Sequence, residues 1–152
     1  MNHITIYSKR LGAVPYNPED VIHFPYGIPA FEQSHRFVIV EQERLAPISF
    51  LQSIDTPTLS LPLIEACHVL PDYQLALSGE DRLGLGLIDG QSAGRLRIFL
   101  VLANFEAQVT LNLAAPVVIQ AAVRRGVQAV RADRVYSAVQ PLSPIGPALI
   151  AC

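Results

Sequence analysis

Apolar and polar positions alternate with a period of two through most of the chain. Between Gln108 and Gln120, Val109, Leu111 and Leu113 fall on one side while Thr110 and Asn112 fall on the other. Successive strand side chains point to opposite faces, so this is the pattern of a half-buried strand. Proline has no N–H to give a ladder and biases its predecessor toward an extended backbone. The pattern therefore predicts two strands, Val109 to Leu113 and Val117 to Ile119, hinged at Ala115-Pro116.

Similar segments recur along the chain. A first strand runs from Ile4 toward Leu11 and is broken by Val14-Pro-Tyr-Asn-Pro18, and a second covers Val21 to Phe24. Arg36 to Glu41 and Ile48 to Ile54 follow. Leu59 to Ile64 is placed toward a sheet edge by Pro62, with a continuation over Pro71 to Leu77. Arg95 to Ala103, the longest apolar run, reads as a central strand. Arg124-Arg-Gly126 reads as a hairpin tip before Val127 to Ala132, and Tyr136 to Val139 as the last strand. Ser78 with Asp81 three residues on supplies a helix start, so one or two helical turns are expected over Asp81 to Leu85.

About ten short strands with turn signals between them predict an all-β, small single-domain β-barrel-like fold, mostly antiparallel, with at most one short helix. The domain is expected over residues 1–142. A tail, 143–152, carries Pro144 and Pro147, which cannot extend a ladder. The chain has 152 residues and is 51% hydrophobic, yet no apolar run approaches the roughly 20 residues of a membrane helix. The polar start Met-Asn-His-Ile-Thr shows no secretory signal, so the expected location is cytoplasmic. Cys67 in an apolar context and Cys152 at the end read as two thiols in preference to a disulfide.

The formal net charge is only -2, but it is unevenly spread. Residues 1–76 carry four basic side chains against Glu19, Asp20, Glu32, Glu41, Glu43, Asp55, Glu65 and Asp72, whereas the remainder is arginine-rich. An acidic half is a poor platform for nucleic acid, whose binding requires phosphates to be neutralised, and a better one for a basic protein. Solvated charges with no partner fit the same counts.

Residues with catalytic chemistry are scattered. Gly84-Leu-Gly86 does not open a long helix after a strand, as a dinucleotide loop must. Cys67 and His68 are adjacent and on a strand would face opposite ways, which does not make a shared metal site. No enzyme, cofactor or metal is expected. The proline- and aromatic-rich loop from Phe24 to Glu32 reads either as a structural turn, with Phe24 and Phe31 plugging the core, or as an exposed partner-binding loop.

Several segments together resemble the flagellar assembly factor FliW family: Phe24-Pro-Tyr-Gly-Ile-Pro-Ala-Phe-Glu32, Leu51-Gln-Ser-Ile-Asp-Thr-Pro57, Pro71-Asp-Tyr73, Thr110-Leu-Asn-Leu-Ala-Ala-Pro116, Val118-Ile-Gln120, Gly126-Val-Gln128 and Tyr136. They occur in the family's order over roughly residues 3–142. Ala30 stands where the family usually has glycine, and Gln120 where it usually has asparagine. The resemblance implies a non-enzymatic barrel that binds flagellin in the cytoplasm. It also implies binding of the carbon storage regulator CsrA, which relieves that regulator's repression of flagellin translation. No direct contact with nucleic acid or membrane is implied, and a monomer is expected. Residues expected at a partner surface are Phe31, Glu32, Glu41, Glu43, Asp55, Thr110, Asn112 and Gln128, with Thr110 and Asn112 serving as polar anchors. An interaction module with a different partner, or a small-molecule-binding barrel with a deep polar pocket, stands as the alternative.

Overall fold

The computed structural model describes residues 3–87 and 95–142. The expected tail 143–152 and Cys152 lie outside the described residues. Ten strands form among the described residues: β1 (Ile4–Ser8), β2 (Gly12–Tyr16), β3 (Ile22–His23), β4 (Arg36–Glu41), β5 (Ile48–Ser53), β6 (Ser60–Glu65), β7 (Leu96–Phe105), β8 (Gln108–Gln120), β9 (Arg125–Gln128) and β10 (Gln140–Pro141). Seven of them close a barrel in the order β8, β7, β6, β5, β4, β3, β9 and back to β8. Every pairing is antiparallel except β3 with β9. Closure pairs most of the strand edges that would otherwise template aggregation. β10 adds to β8 outside the barrel, and β1 and β2 form a separate hairpin.

The stretch from Gln108 to Gln120 is thus one strand, not two hinged at Ala115-Pro116. The pairing instead jumps from Phe99 opposite Val117 to Val101 opposite Asn112, so a single residue of β7 faces four residues of β8. The bulge holds together because its polar groups find partners. Tyr73 Oη donates to Leu113 O at 2.6 Å, Gln128 Nε2 donates to Ala115 O at 3.0 Å, and Asn112 Oδ1 accepts from Ala114 N–H at 3.0 Å. Ala129 N–H and Arg131 N–H donate to Pro116 O and Ala114 O. A proline can sit inside this long strand because the bulge takes it out of the β7 ladder.

Inward positions of the strands fill the barrel with Ile22, Phe24, Phe37, Leu51, Leu63, Phe99, Val117 and Ile119. The outward positions of β6, β7 and β8 (Ile64, Leu100, Leu102, Leu111, Leu113) are covered by Tyr73, Tyr136 and their neighbours. Val118 and Val127 are covered by Leu85. Two short helices lie in these coverings, α1 (Ala66–Val69) and α2 (Gly79–Gly84), one more than the pattern predicts. α2 is the expected turn, and Ser78 and Asp81 form a reciprocal capping box at its start.

Other expectations are corrected. β2 forms although Pro15 lies within it, because β2 pairs only with β1 and its other edge needs no donor. β6 lies between β5 and β7, not at an edge. Its pairing with β7 covers only Leu63 to Glu65, which leaves Pro62 beyond that ladder. Residues Pro71 to Leu77 form no strand, and Tyr73 instead stacks on Tyr136 at 4.7 Å. The last strand among the described residues is β10, not Tyr136 to Val139. The β8–β9 turn is Ala121–Val123 with Arg124 in the left-handed region. Gly126 lies within β9, where a Cβ would come 2.5 Å from the Phe24 ring. Phe24 is fully buried as expected, but Phe31 is 42% exposed and does not plug the core. Cys67 is disulfide-bonded, not a thiol, and together with His68 it lies in α1.

Candidate functional site

Strand direction sorts the polar residues between the two ends of the barrel. β4 runs from Arg36 at one end to Glu41 at the other, and five residue steps of about 3.4 Å separate them by roughly 17 Å. At the Glu41 end lie the start of β5, the end of β6 and the start of β7. An open cleft of about 520 Å³ forms there, lined by Glu41, Glu43, Glu65, His68 and Arg97 over Pro47, Ile48 and Phe99. A second cleft, of about 370 Å³, shares Arg97 and is lined by Glu19, Asp20, Ile22, Ile39, Ile119 and Arg124.

Arg97 sits between the two clefts. Its side chain faces inward in register with Ile119, pairs with Glu65, and lies 4.8 Å over the Phe99 ring. Both partners of the pair are partly exposed, so the pair orients Arg97 more than it stabilises the fold. Glu19, Asp20, Glu41 and Glu43 are exposed and pair with no cation among the described residues. The mouth is therefore acidic, with its own cations already engaged: Arg97 with Glu65, and Arg124 with the backbone oxygen of Glu19.

The eight residues expected at a partner surface do not form one patch. Glu41 and Glu43 meet at the acidic mouth. Asp55 is at the opposite end, where its carboxylate accepts from His35 N–H, Arg36 N–H and Arg36 Nε at 2.8 to 3.0 Å. Burial pushes the Asp55 pKa up, but the hydrogen bonds from His35 and Arg36 outweigh it and leave the pKa below the ordinary value. Phe31 and Glu32 belong to the loop that feeds that same end, and Glu32 Oε1 accepts from Ala30 N–H at 3.1 Å. Thr110 is buried and its Oγ1 donates weakly to Ala103 O at 3.4 Å. Gln128 and Asn112 serve the β8 bulge. These last three residues hold the fold, whereas Phe31, Glu32, Glu41 and Glu43 present side chains to solvent.

Sequence reasoning missed Arg97, which lay inside an apolar run. The signal was its spacing: Arg97, Phe99 and Val101 share one face of a strand, so an arginine was bound to face the barrel axis at its mouth. Among the described residues no group of three or more His, Cys, Asp or Glu could hold a metal ion. No helix among them is long and apolar enough to cross a membrane.

Comparison with known proteins agrees with this architecture. A family model described as FliW protein matches residues 5–142. The flagellar assembly factor FliW of Caldanaerobacter subterraneus subsp. tengcongensis is 36% identical over 138 residues, which cover 89% of this chain and 90% of that protein. The one from Pseudothermotoga lettingae is 33% identical over 132 residues, covering 87% and 84%. A crystal structure of the flagellar assembly factor FliW superposes with a TM-score of 0.80 at 29% identity, covering 93% of this chain and 98% of that one.

Proposed function

Because this chain belongs to the FliW family of flagellar assembly factors, we propose that it acts in the cytoplasm as a partner switch. In this reading it binds flagellin and the carbon storage regulator CsrA alternately. Bound to it, the regulator is held off the flagellin message. Free flagellin displaces the regulator and restores repression, and export of flagellin reverses the exchange. The chain works by binding alone, without catalysis.

The observation that carries the regulator half of this reading is the acidic mouth. Glu19, Asp20, Glu41 and Glu43 come from two separate segments and point unpaired carboxylates at solvent around one pair of clefts. A protein that grips RNA must present cations to phosphates. The same cations are complementary to this mouth, and long-range attraction between them raises the association rate. The barrel interior is filled with apolar side chains, which favours a surface docking mode over an enclosed small-molecule chamber.

Purified chain, immobilised and exposed separately to flagellin and to the regulator, tests the reading. It predicts saturable binding of each. Binding of neither would leave an interaction module with some other partner.

A further inference from the structure

The barrel wall leaves part of β4 without a ladder on its β3 side. β3 contributes only the pairs Ile22 with Phe37 and His23 with Arg36, so the Val38 to Glu41 part of β4 has β5 on one side and no strand on the other. Backbone groups of an antiparallel strand alternate between its two neighbours. Ile54 N–H donates to Arg36 O and Phe24 N–H donates to His35 O, which fixes the phase. Arg36, Val38 and Val40 address β5, whereas Phe37, Ile39 and Glu41 address the β3 side. Phe37 is paired with Ile22 there. The N–H and C=O groups of Ile39 and Glu41 find no partner among the described residues.

Two clefts flank this edge. One, of about 380 Å³, lies on the outer side and is lined by Val14, Tyr16, Val38 and Val40, with Asp20, which lines both clefts, and Glu41. The other is the inner cleft of about 370 Å³, apolar at Ile22, Ile39 and Ile119 and acidic at Glu19 and Asp20. An added strand would point alternate side chains into the two clefts.

We propose that the Ile39 to Glu41 edge is a strand-addition site. Its occupant is an extended partner segment, antiparallel to β4, that sends apolar side chains outward toward Val14, Val38 and Val40 and basic ones inward toward Glu19 and Asp20. Two donors and two acceptors on β4 are already presented in strand geometry, so the incoming segment alone is ordered on binding. The unpaired carboxylates of Glu41 and Glu43 beyond the edge add attraction for the same basic segment. The inference deepens the acidic-mouth reading and rests on it for the partner's charge.

Calorimetry on the intact chain tests it with a blocked peptide of alternating valine and arginine as the probe. Cross-strand pairs share a face, so the arginine N–H groups would point at β4 and the valine N–H groups away. N-methylation of the arginines should weaken binding about tenfold or more, while N-methylation of the valines should leave it nearly unchanged. On the protein, Glu41→Pro should weaken binding more than Glu41→Ala, because only the former removes the edge donor. Both would keep the β5 ladder, which the Glu41 N–H does not serve. Equal effects of the two methylated peptides, or no binding of the unmethylated one, would overturn strand addition. Salt-sensitive binding that ignores methylation would also overturn it while leaving the basic-partner reading standing. Methylation-sensitive peptide binding by a chain that captures no regulator would support strand addition and remove the proposed partner.

Discussion

Asn112 Oδ1 accepts a hydrogen bond from the backbone N–H of Ala114 at 3.0 Å, inside the bulge where β8 leaves the register of β7. Asparagine is a poor strand former, and its presence in a strong strand is explained by this local bond. Asn112→Ala should cost about 1 kcal/mol of stability and leave partner binding unchanged. Urea unfolding and a binding isotherm on the same sample check both halves. Weakened binding at unaltered stability would return Asn112 to the interface.

Ala30 sits at φ 73°, the left-handed region that costs a side chain roughly 1–2 kcal/mol and glycine almost nothing. Ala30→Gly should raise stability by about 1 kcal/mol less whatever unfolded-state entropy glycine adds, read as a higher urea midpoint. A lower midpoint would show that contacts of the Ala30 methyl outweigh the strain.

Gly126→Ala tests the barrel closure from the inside. The added Cβ would meet the Phe24 ring at 2.5 Å, and Phe24 is fully buried and packed edge-on to Phe37 at 4.8 Å. Overpacking of this kind costs about 1–3 kcal/mol. Adding Phe24→Leu to Gly126→Ala should restore part of the loss, since the clash and its relief share one space.

Two groups at the Arg36 end give pH effects in separate windows. Burial, then Arg125 and His35, hold the His23 pKa below its usual 6.5, against a smaller opposing effect of Asp55. The unfolded chain therefore binds the His23 proton more readily, and stability should fall as pH drops below about 6.5. His23→Gln should flatten that slope. The Asp55 pKa is depressed, so its contribution is present above the ordinary carboxylate range and is lost only as pH falls below about 4. Asp55→Asn should remove that lower step and, because Asp55 opposes the lowering of the His23 pKa, should leave the His23 slope somewhat larger. Urea midpoints measured across both windows check the two variants.

Much of the fold was legible because period-2 patterning survives wherever one face of a strand is buried. β4 and β5 were bounded almost to the residue, and the Ser78 to Asp81 capping box was readable from spacing. What escaped was decided by partners distant in sequence. Pro62 reads as an edge signal, yet β6 is internal because the β7 ladder starts only after it. The turn Glu106-Ala107 has both residues at positive φ without the asparagine or glycine that usually marks such a turn. Charge counted by halves of the chain was only half right. It found Glu41 and Glu43 but grouped them with Asp55 at the far end, and it set apart Arg124, which the fold brings to the acidic mouth beside Glu19.

The acidic mouth predicts a salt signature. Glu41→Lys with Glu43→Lys should slow association with the regulator and reduce its dependence on ionic strength, with dissociation changing less. Reversal at the exposed Arg134, which lines neither mouth cleft, serves as the control. Stopped-flow or biosensor traces at two salt concentrations separate the rates. Association indifferent to salt and to the acidic reversals would contradict the electrostatic account.

The most direct measurement of the partner switch is displacement. The chain is preloaded with labelled carbon storage regulator, flagellin is titrated in, and release of the regulator is followed by fluorescence anisotropy. The account predicts release that saturates with flagellin, and a regulator that, once freed, again binds its RNA. A regulator that stays bound while flagellin also binds, or a chain that never held the regulator, would contradict it.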